Sequence, residues 1–129
     1  MADCCGKGDV ILLACSGGSN VGQIANDACK ALDQLGQGSF FCAIGVGAQL
    51  PNFVERIKKD GTTVMAIDGC GVGCTKKVLD NVGATADTYM VVTDLGIEKS
   101  HHFNHTRDEV GQVAQAVVDA LHGNKCCQQ

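Results

Sequence analysis

Along the chain, short apolar runs rich in β-branched residues alternate with longer segments whose apolar positions recur at three- and four-residue intervals. The run from Val10 to Cys15 predicts a first strand. The glycine-rich stretch SGGSNVGQ then leads into a helix from about Asn20 to Leu35, with Gly36 placed to take the left-handed cap. Phe40 to Val46 predicts a second strand, followed by a helix that opens near Pro51, where a missing backbone NH does no harm, and ends at Gly61. Thr63 to Ile67 predicts a third strand and Thr75 to Val82 a short helix before Gly83. A fourth strand, Thr88 to Thr93, precedes a longer loop and a helix that starts with the capping box Thr106-Arg107-Asp108-Glu109 and stops at Gly123. In that helix Val110, Val113, Ala114, Val117 and Leu121 fall on one stripe, as a core-facing helix requires.

Strands that alternate with helices through connections too long for hairpins imply an α/β fold. The expected form is a three-layer, Rossmann-like (flavodoxin-like) domain with a four-stranded parallel sheet. Right-handed crossovers put every strand-to-helix turn at the carboxyl edge of that sheet. With a strand order of 2-1-3-4, strand 1 is central and strands 2 and 3 flank it at roughly 4.8 Å each. Three consecutive turns then become neighbours.

Cysteines gather at this edge. Cys15 ends strand 1, Cys42 is expected within strand 2 shortly before its turn, and Cys70 and Cys74 bracket the turn after strand 3 in DGCGVGC. Thiols on flanking strands about 10 Å apart can converge on one ion, and a zinc held by four sulfurs at about 2.3 Å needs only such convergence. The Gly-Val-Gly spacer lets the backbone curl so that Cys70 and Cys74 face the same point. Cys74 also sits at a helix amino terminus, where unpaired NH groups stabilise an anionic sulfur.

Composition narrows the class. With 129 residues, 45% of them hydrophobic, the chain suits one domain over residues 1–129, its ends 1–8 and 124–129 read as mobile tails. Fourteen acidic against ten basic residues give a net charge of -4, and the scattered lysines lack the stripe of a nucleic-acid binder. VILLAC, the longest apolar run, falls far short of the ~20 residues that span a bilayer, and the start does not read as a secretory leader. No membrane is implied, and a cytoplasmic location is expected. Nine cysteines, an odd number, point in a reducing compartment to metal binding or redox chemistry before structural disulfides.

Four ordered motifs carry a resemblance. CSGGSNVGQ at Cys15 to Gln23, FCAIGVGAQLPNF at Phe41 to Phe53, DGCGVGC at Asp68 to Cys74 and TDLGIEK at Thr93 to Lys99 together resemble the DGC-domain family, named for its central Asp-Gly-Cys. The similarity runs from about Val10 to the last helix. It implies a zinc site on Cys15, Cys42, Cys70 and Cys74, the four that the topology selects, and it implies no pathway. Many relatives have proline after the central cysteine where Gly71 stands here, which frees the turn.

Other readings compete at each position. Taken singly, Cys42 reads first as a small buried apolar residue, and Cys29, inside the first helix, as packing. The Cys-x3-Cys spacing is not the commoner Cys-x2-Cys, and an iron-sulfur cluster accepts four thiolates as zinc does. The Ser16 to Gln23 turn offers backbone NH groups, Ser19 and Asn20 to an anion, but neither Gly-x-x-x-x-Gly-Lys nor Gly-x-Gly-x-x-Gly is present, and a plain helix cap is the simpler role. Asp68 ends an apolar strand, where an unpaired carboxylate is costly, so a structural hydrogen-bonding role is expected. Lys76, Lys77 and Lys99 are placed to offset thiolate charge. In the loop SHHFNH, His101 and His105 have the i, i+4 spacing of a ligand pair, with a solvated loop as the simpler reading. Cys4-Cys5 and Cys126-Cys127 belong at the opposite edge as exposed thiol pairs.

Three functions follow, in this order. The first is a zinc site of structural or metal-transfer role, with a metal-exchange or thiol protein as partner. The second is a thiol, disulfide or persulfide relay enzyme in which Cys70 or Cys74 attacks and Cys15 resolves. The third is an anion or small-metabolite binding module at the first glycine-rich turn.

Overall fold

The computed structural model describes residues 9–123. Cys4, Cys5, Cys126 and Cys127, read above as tail thiols, lie outside the described residues. Strands β1 (Asp9–Ala14), β2 (Ser39–Phe40), β3 (Thr62–Asp68) and β4 (Thr88–Val91) alternate with helices α1 (Asn20–Gln34), α2 (Ala43–Gly47), α3 (Pro51–Lys58), α4 (Cys74–Asn81) and α5 (Arg107–Gly123). All strand pairs are parallel, as the alternation predicts, and the order is the expected β2-β1-β3-β4.

The layers follow from the two-residue period of the strands. On β1 and β3, Val10, Leu12, Ala14, Met65 and Ile67 face one way and pack with α1 and α5, where Ile24, Leu32, Val113 and Val117 are fully buried. Ile11, Leu13, Val64 and Ala66 face the other way and pack with Val46 of α2, Ile57 of α3 and Leu79 of α4. Both central strands are therefore apolar on both sides, the pattern of a sheet covered twice.

The capping box forms as read. Thr106 N–H donates to Glu109 Oε1 at 2.9 Å and Glu109 N–H donates to Thr106 Oγ1 at 3.1 Å. Val113, Ala114, Val117 and Leu121 are buried, with Val110 half-buried at the start of the stripe.

Two elements depart from the pattern. The apolar run Phe40 to Val46 predicts a strand, but β2 stops at Phe40, pairing only Ser39 with Ile11 and Phe40 with Leu12. The rest of the run turns into α2, and Cys42 stands at the residue before that helix, without a side-chain capping bond, instead of lying inside a strand. Packing explains the change: Val46 is buried against the sheet, Ile44 is left 83% exposed, and the Phe53 ring lies directly on Gly45. A continuous apolar run of this length does not by itself separate strand from helix. Likewise β4 ends at Val91, and Val92–Leu95 forms a 3-10 turn in which Thr93 N–H donates to Gly69 O at 3.1 Å.

Candidate functional site

The carboxyl edge is assembled from the chain after β1, the chain after β3 and the segment that follows the 3-10 turn. Cys15 N–H extends the sheet pairing by one bond, to Ile67 O at 3.1 Å. Ser16 then turns left-handed with φ 53°, a conformation that costs a non-glycine residue about 1 kcal/mol. Its hydroxyl donates to Asn26 Oδ1 at 2.8 Å, which ties the turn to α1. Ser19 caps α1, accepting from Gly22 N–H at 3.1 Å.

Each residue of Asp68-Gly69-Cys70 has a separate task. Asp68 is 1% exposed and accepts three hydrogen bonds, from Thr75 N–H at 2.8 Å, Lys76 N–H at 3.2 Å and the Tyr89 hydroxyl at 2.7 Å. Thr75 and Lys76 are the second and third residues of α4. The residue before that helix is Gly73, left-handed at φ 72° and without a capping side chain, so a carboxylate five residues upstream does the capping. Asp68 thus already occupies the amino-terminal field of α4 in which Cys74 stands. Burial, and then the hydrogen bond to Asp68, pushes the Tyr89 phenol above its usual value.

Gly69 is present because of close approach. A Cβ there would meet Gly22 N at 2.7 Å and Val21 C at 2.8 Å, both backbone atoms of α1. A Cβ on Gly22 would in turn meet Gly17 O at 2.6 Å. The two cysteine-bearing turns are therefore in backbone contact through the first turn of α1, and any side chain at these glycines would wedge them apart. Gly69 also donates its N–H to Cys15 Sγ at 3.3 Å. By contrast, a Cβ at Gly71 would meet nothing within 4 Å.

Cys15, Cys70 and Cys74 line one cleft of ≈ 290 Å³ together with Val72, Lys99 and His101. Its floor is the glycine backbone of residues 17, 18, 22 and 69, with Ser19. Burial pushes the Cys15 thiol above its usual value, and charge on Asp68 and Cys74 adds to the effect, against the NH groups of Gly17 and Gly69. Lys99 Nζ stands 3.5 Å from Cys70 Sγ. Cys29 lies beneath, fully buried in α1, its thiol pushed up to about 12 chiefly by burial.

Several candidates are placed elsewhere. Cys42 is exposed at the start of α2 and is not among the residues lining the cleft. Asn20 is 6% exposed and committed to the fold: its Nδ2 donates to Glu98 O at 2.8 Å and its Oδ1 accepts from Ser100 N–H at 2.6 Å. With Ser19 used as a cap, both side chains of the first turn have structural partners. Lys76 Nζ lies 5.3 Å from the centre of the Tyr89 ring, and Lys77 Nζ donates to Val72 O at 2.7 Å across the Cys70–Cys74 turn. The loop carrying His101 and His105 is not helical, so the two do not align as an i, i+4 pair. His105 Nε2 is 3.0 Å from Asp27 Oδ2 on α1, whereas His101 reaches the cleft.

Sequence reasoning missed Tyr89 and the Gly22–Gly69 contact. Neither has a local signal, because each depends on positions more than twenty residues apart. The donors that line the cleft, three sulfurs and one imidazole with no carboxylate among the described residues, form a soft set suited to zinc. As the side chains stand, no group of three or more histidine, cysteine, aspartate or glutamate residues among the described residues is arranged to hold an ion. No helix among them is long and apolar enough to cross a membrane.

Comparison with known proteins adds two findings. The sequence profile described as the DGC domain matches residues 11–117. The anaerobic and virulence modulator AnvM of Pseudomonas aeruginosa is 33% identical over 91 residues, covering 70% of this chain and 69% of AnvM. No solved structure matches.

Proposed function

The chain belongs to the DGC-domain family, and from that premise we propose that it is a cysteine-based metal-binding protein of regulatory or metal-transfer role, with zinc as its ion. One observation carries the reading: Cys15, Cys70 and Cys74, from two turns locked together through Gly22 and Gly69, line a common cleft without a carboxylate among the described residues. Zinc accepts thiolate and imidazole ligands and has no redox chemistry of its own, so a bound ion would cross-link the two turns and hold the thiols out of reach of oxidants. The chain's own residues prepare the site. Asp68 holds the start of α4, Gly69 donates to Cys15, and Lys99 offsets charge at Cys70. The name of the relative describes AnvM as a modulator, and a regulatory output that follows the state of these thiols is what we carry over to this chain.

Elemental analysis of anaerobically purified protein tests the reading. About one zinc per chain is expected, lost on Cys15→Ser or Cys70→Ser in protein that remains folded. Metal-free protein that takes up no added zinc rejects it.

The contact of Lys99 with Cys70 favours a second reading, thiol exchange. In it the Cys70 thiolate attacks a partner's disulfide and expels one partner thiolate, leaving a mixed disulfide. Cys15 or Cys74 then attacks Cys70 Sγ and expels the second partner thiolate, so two electrons pass from the protein's thiols to the partner. Rapid alkylation of Cys70 in metal-free protein, with a trapped mixed disulfide in a Cys15→Ser, Cys74→Ser double variant, supports that reading instead.

A further inference from the structure

We infer that the fourth metal ligand of this cleft is His101 and not Cys42. The inference rests on the metal-binding reading above and concerns which residues complete it. Three observations converge on His101.

First, His101 shares the cleft with Cys15, Cys70 and Cys74, and Cys42 does not. β2 ends at Phe40, and Cys42, still extended at φ -94° and ψ 101°, stands immediately before α2, a helix on the face that packs α3 and α4.

Second, the backbone before His101 is held in place. Asn20 fixes it with three hydrogen bonds: to Glu98 O at 2.8 Å, from Ser100 N–H at 2.6 Å, and from its own N–H to Ser100 O at 3.1 Å. Asn20 is the first residue of α1, the helix whose Gly22 touches both cysteine-bearing turns. One short segment of α1 therefore holds the backbone that leads into His101 together with the two thiol turns. A ligand presented next to an anchored backbone loses little conformational freedom when it binds.

Third, charge favours this set. Three thiolates and a divalent ion carry a net charge of about -1, against about -2 for four thiolates. Lys99 is the single cation among the described residues lining the cleft, and it stands beside Cys70. His105 is not among the residues lining the cleft, and its Nε2 is engaged by Asp27.

The test uses the full-length protein, loaded with zinc or with cobalt(II) as a spectroscopic substitute. For wild type the expected results are one ion per chain, three sulfurs protected from alkylation at Cys15, Cys70 and Cys74, and a cobalt spectrum of mixed sulfur and nitrogen ligation. Cys42→Ser should leave stoichiometry, affinity and spectrum unchanged. His101→Ala should weaken zinc binding by more than about 100-fold, above the roughly 10- to 100-fold range of an outer-shell change, and should remove the nitrogen contribution from the cobalt spectrum. His101→Cys should restore binding with a four-sulfur cobalt spectrum. Both positions are exposed, so the variants should fold, which far-ultraviolet circular dichroism checks. If Cys42→Ser loses the metal, or if His101→Ala keeps wild-type affinity and spectrum, the assignment is overturned while metal binding stands. If wild type takes up neither ion, metal binding itself fails.

Discussion

The turn after β3 and the turn after β2 leave the same edge of the same sheet, and each carries a cysteine, yet they are built to different standards. The β3 turn is anchored by a buried carboxylate with three hydrogen bonds, by a glycine pressed on the backbone of α1, and by a glycine at φ 72° that starts α4. The β2 turn follows a two-residue edge strand and opens a five-residue helix with no side-chain cap, leaving Cys42 and Ile44 exposed. Sharing a sheet edge brings two turns into one neighbourhood, but only specific backbone contacts bring their side chains into one cleft.

The sharpest way to break this contrast is to wedge the anchored turn. Gly69→Ala sets a methyl group against Gly22 N and Val21 C and should cost about 3 kcal/mol, the upper part of the usual range for overpacking. Gly71→Ala, two residues on in open space, should stay within about 0.5 kcal/mol. Urea unfolding of the pair measures the difference, and equal losses would deny the close contact. Asp68→Ala comes next. It strands the first-turn NH groups of α4 and the Tyr89 hydroxyl, and should cost about 2 kcal/mol in the same assay.

Smaller effects concern the thiols themselves. Burial raises the Cys15 thiol above 9.0, so folding favours its neutral form. The associated stabilisation is fully present below pH 9 and is lost as pH rises through the folded value. Iodoacetamide labelling of Cys15 should therefore lag behind that of exposed Cys42 at neutral pH and accelerate only above pH 9, as peptide mapping across pH would record. Smallest of all, Cys42→Ser should change stability by under about 0.5 kcal/mol, since the side chain is exposed and caps nothing.

Local and repeated signals were legible in the sequence. The capping box at Thr106 and Glu109 involves residues three apart, and the alternation of strands and helices through long connections implies the covered parallel sheet whose central strands β1 and β3 are apolar on both faces. The β2–α2 boundary was not legible, because Phe40 to Val46 is apolar throughout and only Phe53, folding back on Gly45, settles where the strand stops. Within the candidate site, Cys15, Cys70 and Cys74 could be placed from topology, as strand ends are fixed by the sheet order. His101 could not be separated from His105 by spacing. What distinguishes them is the bond of Asn20 to Ser100 and the pairing of His105 with Asp27, contacts across 80 and 78 residues.

The central claim is that Cys15, Cys70 and Cys74 form one metal-binding unit from which Cys42 stands apart. Differential alkylation of the zinc-loaded chain, before and after a chelator, tests it most directly. The account predicts that residues 15, 70 and 74 are protected together and released together when the ion is removed, while residue 42 labels at the same rate throughout. Independent labelling of the three, indifferent to the chelator, would contradict it.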